Sequence, residues 1–110
     1  KFKDYLYLEN PERRCFITGD KIADDESIDH VIPWSYLYSD DLWNLVLVKK
    51  GANSSKSNNI PDEGLIKKLE QRNHKLLKLL KDHKPDKHIE ELKLAIDNDY
   101  VRKFWTGCRG

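Results

Sequence analysis

The chain has 110 residues, 38% of them hydrophobic and 35% charged, and a formal net charge of +1. That length fits one domain with a modest core of its own, and three Trp, five Tyr and three Phe exclude a disordered tail, which lacks aromatic surface to bury. Apolar runs such as Leu45 to Val48 fall far short of the roughly 20 residues that a membrane span needs, and no basic-then-apolar signal peptide opens the sequence.

Charge is distributed unevenly. Residues 1–48 hold five Lys/Arg and ten Asp/Glu, whereas residues 49–88 hold eleven and five. Carboxylates suit a metal and cations suit a phosphate backbone, although interspersed charges also make an ordinary solvated helix face. The chain begins at Lys1 and contains no Met, so it reads as a module of a longer protein, with other domains of the same chain as expected partners. Two cysteines 93 positions apart, without a signal peptide, imply free thiols and a cytoplasmic setting.

In chain order, Tyr5 to Leu8 suggests a short strand or an entry segment, stopped by a turn at Asn10-Pro11. Cys15-Phe16-Ile17-Thr18-Gly19 has the shape of a zinc-knuckle turn, with Thr18 where a second Cys would stand. A structural zinc wants about four soft ligands, so none is expected. Ile28 to Pro33 reads as a short strand, because β-branched residues fill it and Pro33 stops it. After an aromatic, acidic connection that includes Trp34, Leu42 to Val48 reads as the clearest strand. Lys49 to Ala52 reads as a basic loop. Asn53-Ser54-Ser55 reads as the start of a short helix ended by Pro61. Leu65, Ile66, Leu69, Leu76, Leu77 and Leu80 fall at helical spacing and predict an amphipathic helix over about 62–83. A shorter helix follows around Ile89 to Ile96, and then an apolar anchor of Tyr100, Val101, Phe104 and Trp105. Trp34, Trp43 and Trp105 are expected in packing, and His74, His83 and His88 on solvated helix surfaces.

Four polar residues carry chemistry as a set. Asp29 and His30 end one strand, Asn44 lies in the next, and Asn53 opens the helix after it. Alternation puts Asp29 and His30 on opposite faces of a regular strand, so both reach one site only if the strand breaks there. A carboxylate and an amide oxygen are hard ligands suited to Mg²⁺, and a neutral His beside them can take a proton from water near pH 7. Taken singly, Asp-His also fits a surface turn, Asn44 a strand edge, and Asn53 a helix cap.

Asp29-His30-Val31-Ile32-Pro33, then Leu42-Trp43-Asn44-Leu45, then Asn53-Ser54-Ser55-Lys56-Ser57-Asn58-Asn59-Ile60-Pro61, resembles the HNH endonuclease motif. The spacings also resemble those in the HNH domain of the RNA-guided CRISPR effector nuclease. The resemblance implies an α+β fold: a ββα-metal core at about 15–61, a hairpin and one helix around a single divalent ion. Residues 62–110 would extend it with C-terminal helices in one nuclease domain spanning 1–110. It further implies His30 as general base, Asn44 in the middle position fixing the loop and the orientation of His30, and Asp29 and Asn53 as ligands of Mg²⁺ or Mn²⁺. DNA is the implied partner. Lys56, on the first turn of the short helix, is placed to meet a phosphate, with Lys49, Lys50, Lys67, Lys68, Arg72 and Lys75 as looser contacts. The expected activity is DNA endonuclease cleavage by a restriction or defence protein, with a dimer among the options. The alternative is an inactive ββα-metal domain that only binds nucleic acid.

Overall fold

The computed structural model describes residues 2–33, 41–52 and 60–109. The order is helix α1 (Phe2–Glu9), strand β1 (Glu26–His30), a 3₁₀ turn (Leu42–Asn44), strand β2 (Leu45–Lys49), then helices α2 (Glu63–Leu79), α3 (Lys87–Asp97) and α4 (Tyr100–Arg109). A two-stranded antiparallel sheet with helices is the expected α+β architecture.

β1 and β2 pair with Ile28 opposite Leu47, Asp29 opposite Val46 and His30 opposite Leu45. β2 is buried on both faces from Leu45 to Val48, which is why its sequence is an unbroken apolar run rather than an alternating one. β1 stays half-buried along its whole length and so tolerates Glu26, Asp29 and His30. On the other edge of β2, the turn after Cys15 docks through Phe16 N–H donating to the Leu47 carbonyl at 2.9 Å.

α2 starts where Asp62 accepts a hydrogen bond from Leu65 N–H at 2.9 Å, and α3 starts where Asp86 accepts from Ile89 N–H at 2.9 Å. Ile66, Leu69, Leu76 and Leu80 from α2, Leu92 and Ala95 from α3, and Val101 and Trp105 from α4 join Leu6 and the hairpin in one core. The reversal between α3 and α4 passes through Asp99 at φ 57°, a left-handed conformation that Asp adopts more readily than most residues.

Four expectations are corrected. Residues 2–9 form a helix, because Phe2, Tyr5 and Leu6 line its inner face at helical spacing. The strand expected from Leu42 begins only at Leu45. Asn44 N–H donates to the Asp41 carbonyl at 2.9 Å and closes a 3₁₀ turn ahead of it. Residues 50–52, read as loop, are already helical, so helical backbone begins ahead of Asn53. His88 is half-buried rather than solvated, its ring 4.5 Å from that of Phe2.

α1 is tied to α3 by the Tyr5 hydroxyl, which donates to the Asp86 carboxylate. Burial, then that hydrogen bond and the nearby negative charge, push the Tyr5 hydroxyl up to about 12. In the unfolded chain it ionises near 10. Between these values the unfolded state loses its proton first, so this contribution to stability is full below pH 10 and lost as pH rises towards 12. Tyr5→Phe should cost about 1 kcal/mol at neutral pH. It should also flatten the alkaline fall in stability, as read by urea unfolding across that window.

Candidate functional site

β1 ends at His30, and the chain bends at once through residues 31 and 32 into Pro33. The break therefore falls just after His30: Asp29 and His30 themselves remain paired, opposite Val46 and Leu45, so strand alternation still applies to the two of them. Asp29 and His30 are both half-buried, reachable from solvent yet held by the hairpin.

Asn44 pins this corner. Its side chain is fully buried and brackets Ile32: Ile32 N–H donates to Asn44 Oδ1 at 2.8 Å, and Asn44 Nδ2 donates to the Ile32 carbonyl at 2.9 Å. Val31 N–H donates to the Asn44 carbonyl at 3.0 Å. Three hydrogen bonds thus fix the two residues that follow His30. An amide side chain offers one acceptor and one donor on a planar fork, which is what a peptide's N–H and C=O require.

Behind Asn44 lies a feature that the sequence reading missed. Arg72, taken for a surface contact to DNA, is buried and cannot meet a phosphate from that position. Its Nη1 donates to the Leu45 carbonyl at 2.6 Å, and its Nη2 donates to the carbonyls of Leu42 and Trp43 at 3.0 and 3.3 Å. Its Nε donates to Asn73 Oδ1 at 3.0 Å, while Asn73 Nδ2 donates to the Trp43 carbonyl at 2.9 Å. Burial draws the guanidinium down to about 10, opposed by the negative charge of Glu9. The signal lay in the apolar stripe of α2. Arg72 and Asn73 stand three and four positions after Leu69 and four and three before Leu76, on the buried face rather than the solvated one.

Lys49 closes β2 with its ammonium 3.7 Å from Asp20 Oδ2, while Lys50 is exposed. Lys68 donates to the Phe16 carbonyl, and Lys75 lies 3.5 Å from Glu9 Oε2. Asn53, Lys56 and Trp34 lie outside the described residues. The exit from that segment is fixed, because Trp105 Nε1–H donates to the Pro61 carbonyl at 2.7 Å in a buried contact. Arg102 holds α4 to α2 through Glu63 at 2.7 Å and Glu70 at 3.1 Å. Trp43 and Trp105 pack in the core as expected, Trp43 stacking on Phe104 with ring centroids 5.7 Å apart.

The knuckle-like turn closes on Cys15, whose Sγ accepts from Lys49 N–H at 3.4 Å, with Gly19 at φ 80°. Burial alone would raise this thiol, but hydrogen bonds from Thr18, Lys49 and Ile17 outweigh it and hold it below its usual value. Both cysteines are buried. Among the described residues no three His, Cys, Asp or Glu gather to hold a metal, and no helix is long and apolar enough to cross a membrane.

The pinned hairpin lies within a segment of wider kinship. Residues 15–62 match the family model of the HNH endonucleases, which supports the HNH family for this chain.

Proposed function

We propose that this chain is a divalent-metal-dependent DNA endonuclease domain. The family match points to nuclease-type chemistry on nucleic acid. The observation that carries the residue assignment is the corner itself: Asp29 and His30 end β1, and Asn44 locks the next two residues in place. In this reading His30 takes the proton from the attacking water, and Asn44 keeps the imidazole on its line of attack. Asp29 and Asn53 would hold Mg²⁺ or Mn²⁺; a carboxylate and an amide oxygen fit a hard cation that keeps several waters. Such an ion supplies Lewis acidity at the scissile phosphate. Lys56, Lys49 and Lys50 would follow the DNA backbone, Lys49 exchanging Asp20 for a phosphate. Residues 1–110 would act as one unit, a cytoplasmic cleavage module of a longer restriction or defence protein.

Plasmid nicking tests this reading. Purified protein should convert supercoiled DNA to open circles with Mg²⁺ or Mn²⁺, and chelator should abolish the conversion while circular dichroism stays unchanged. Absence of nicking with either ion would refute it. The ligand role of Asn53 is tested separately by titrating Mn²⁺ calorimetrically. Asn53→Ala should lose metal affinity and cleavage while staying folded, and Asn53→Asp should bind the ion at least as tightly. Equal affinity in wild type and Asn53→Ala would reduce Asn53 to a structural residue.

A further inference from the structure

We propose that Arg72 and Asn73 are positioning residues that set the geometry of the His30 corner through Asn44; the functional part of this proposal rests on the nuclease reading above. A buried cation with no carboxylate bonded to it among the described residues is expensive, and a leucine would fill the same stripe of α2 at less cost. What a leucine cannot do is hold three backbone carbonyls at once. Arg72 and Asn73 together take the carbonyls of Leu42, Trp43 and Leu45, the residues that flank Asn44 on both sides. Asn44 is therefore fixed from behind at its own backbone, and from there it fixes Ile32 in front. The relay runs from α2 to the 3₁₀ turn to the residues that follow His30, and each step is a hydrogen bond between buried groups. It gives the helical extension a task in the chemistry that reaches beyond covering the core. Lysine would not substitute, because a single ammonium lacks the planar fork that spans these carbonyls.

The test uses the whole 110-residue chain carrying Asn73→Ala, with Arg72→Met as a second variant. Nicking kinetics and amide hydrogen exchange are measured well below the melting temperature. In Asn73→Ala, kcat should fall by about tenfold or more while KM for plasmid stays within about twofold, because geometry rather than DNA binding is lost. Exchange at Ile32 N–H and in the Asn44 side-chain amide should quicken by about tenfold, while amides in the middle of α3 keep their rates. If Arg72→Met folds, it should show the same pattern more strongly; if it does not fold, Asn73→Ala decides. An Asn73→Ala protein with unchanged kcat and unchanged Ile32 exchange overturns the proposal. So does one whose exchange rises equally in α3, since that marks general loosening. Should wild type fail to nick DNA at all, the nuclease reading falls, and the exchange arm alone still decides whether Arg72 and Asn73 govern the corner.

Discussion

His30→Ala should lower the rate of plasmid nicking by about 10²-fold or more, since general-base catalysis is typically worth ~10²–10⁴-fold. The fold should survive. His30 is half-buried at the last position of β1, where a smaller side chain leaves no closed cavity. Its partner Leu45 lies in β2, and that ladder is made by backbone groups the substitution does not touch. The comparison is made at saturating Mg²⁺, with urea unfolding of both proteins alongside. Nicking that survives within a few-fold, in protein of unchanged stability, would take the base away from His30 and require another proton acceptor.

Asn44→Ala should strike stability and activity together, and that combination separates it from His30→Ala. The substitution strands the N–H and the carbonyl of Ile32, a residue with 0% exposure. Each unsatisfied buried polar group costs about 1–3 kcal/mol, so the two together should cost about 2–6 kcal/mol in urea unfolding. In a domain of this size that lowers the melting temperature by about 8 °C or more, at ~4–8 °C per kcal/mol. Where the variant is still folded, nicking should be slower by about 10²-fold, as expected for a misplaced catalytic group. An Asn44→Ala protein that is destabilised but fully active would show that the bracket serves the fold alone.

How much of this was legible in the sequence depends on what each residue was answering to. The long helix could be read from its leucines, because burial on one face imposes helical spacing. Its start could be read too, since Asp62 caps it. The hairpin was legible from Ile28, Val31 and the apolar run Leu45 to Val48, and the motif placed Asp29, His30 and Asn44 within it. α1 was misread because Tyr5-Leu6-Tyr7-Leu8 imitates alternation, while its burial follows Phe2, Tyr5 and Leu6. Asn44 was put in a strand because its neighbours are strand formers; a bond to Asp41, visible only in three dimensions, turns it into a 3₁₀ turn. Arg72 was misjudged because charge was taken to mean surface. Its acceptors stand 27 to 30 positions earlier in the chain, a distance over which sequence periodicity carries no information.

The bond pattern around Arg72 also bears on how the molecule can be cut. The acceptors at Leu42, Trp43 and Leu45 lie inside the family-matched segment 15–62, and the donors at Arg72 and Asn73 lie beyond it. Pro61 sits at that boundary and is held by Trp105, 44 positions later. A peptide trimmed to the matched segment would keep every residue of the motif and none of these donors. It would also uncover the side chains that meet Ile66, Leu69 and Leu92 in the shared core. The recognisable unit and the folding unit therefore have different borders. A minimal unit grafted from this chain into another protein should carry the helices to Arg109, and the motif alone should express as an unstructured, protease-sensitive fragment.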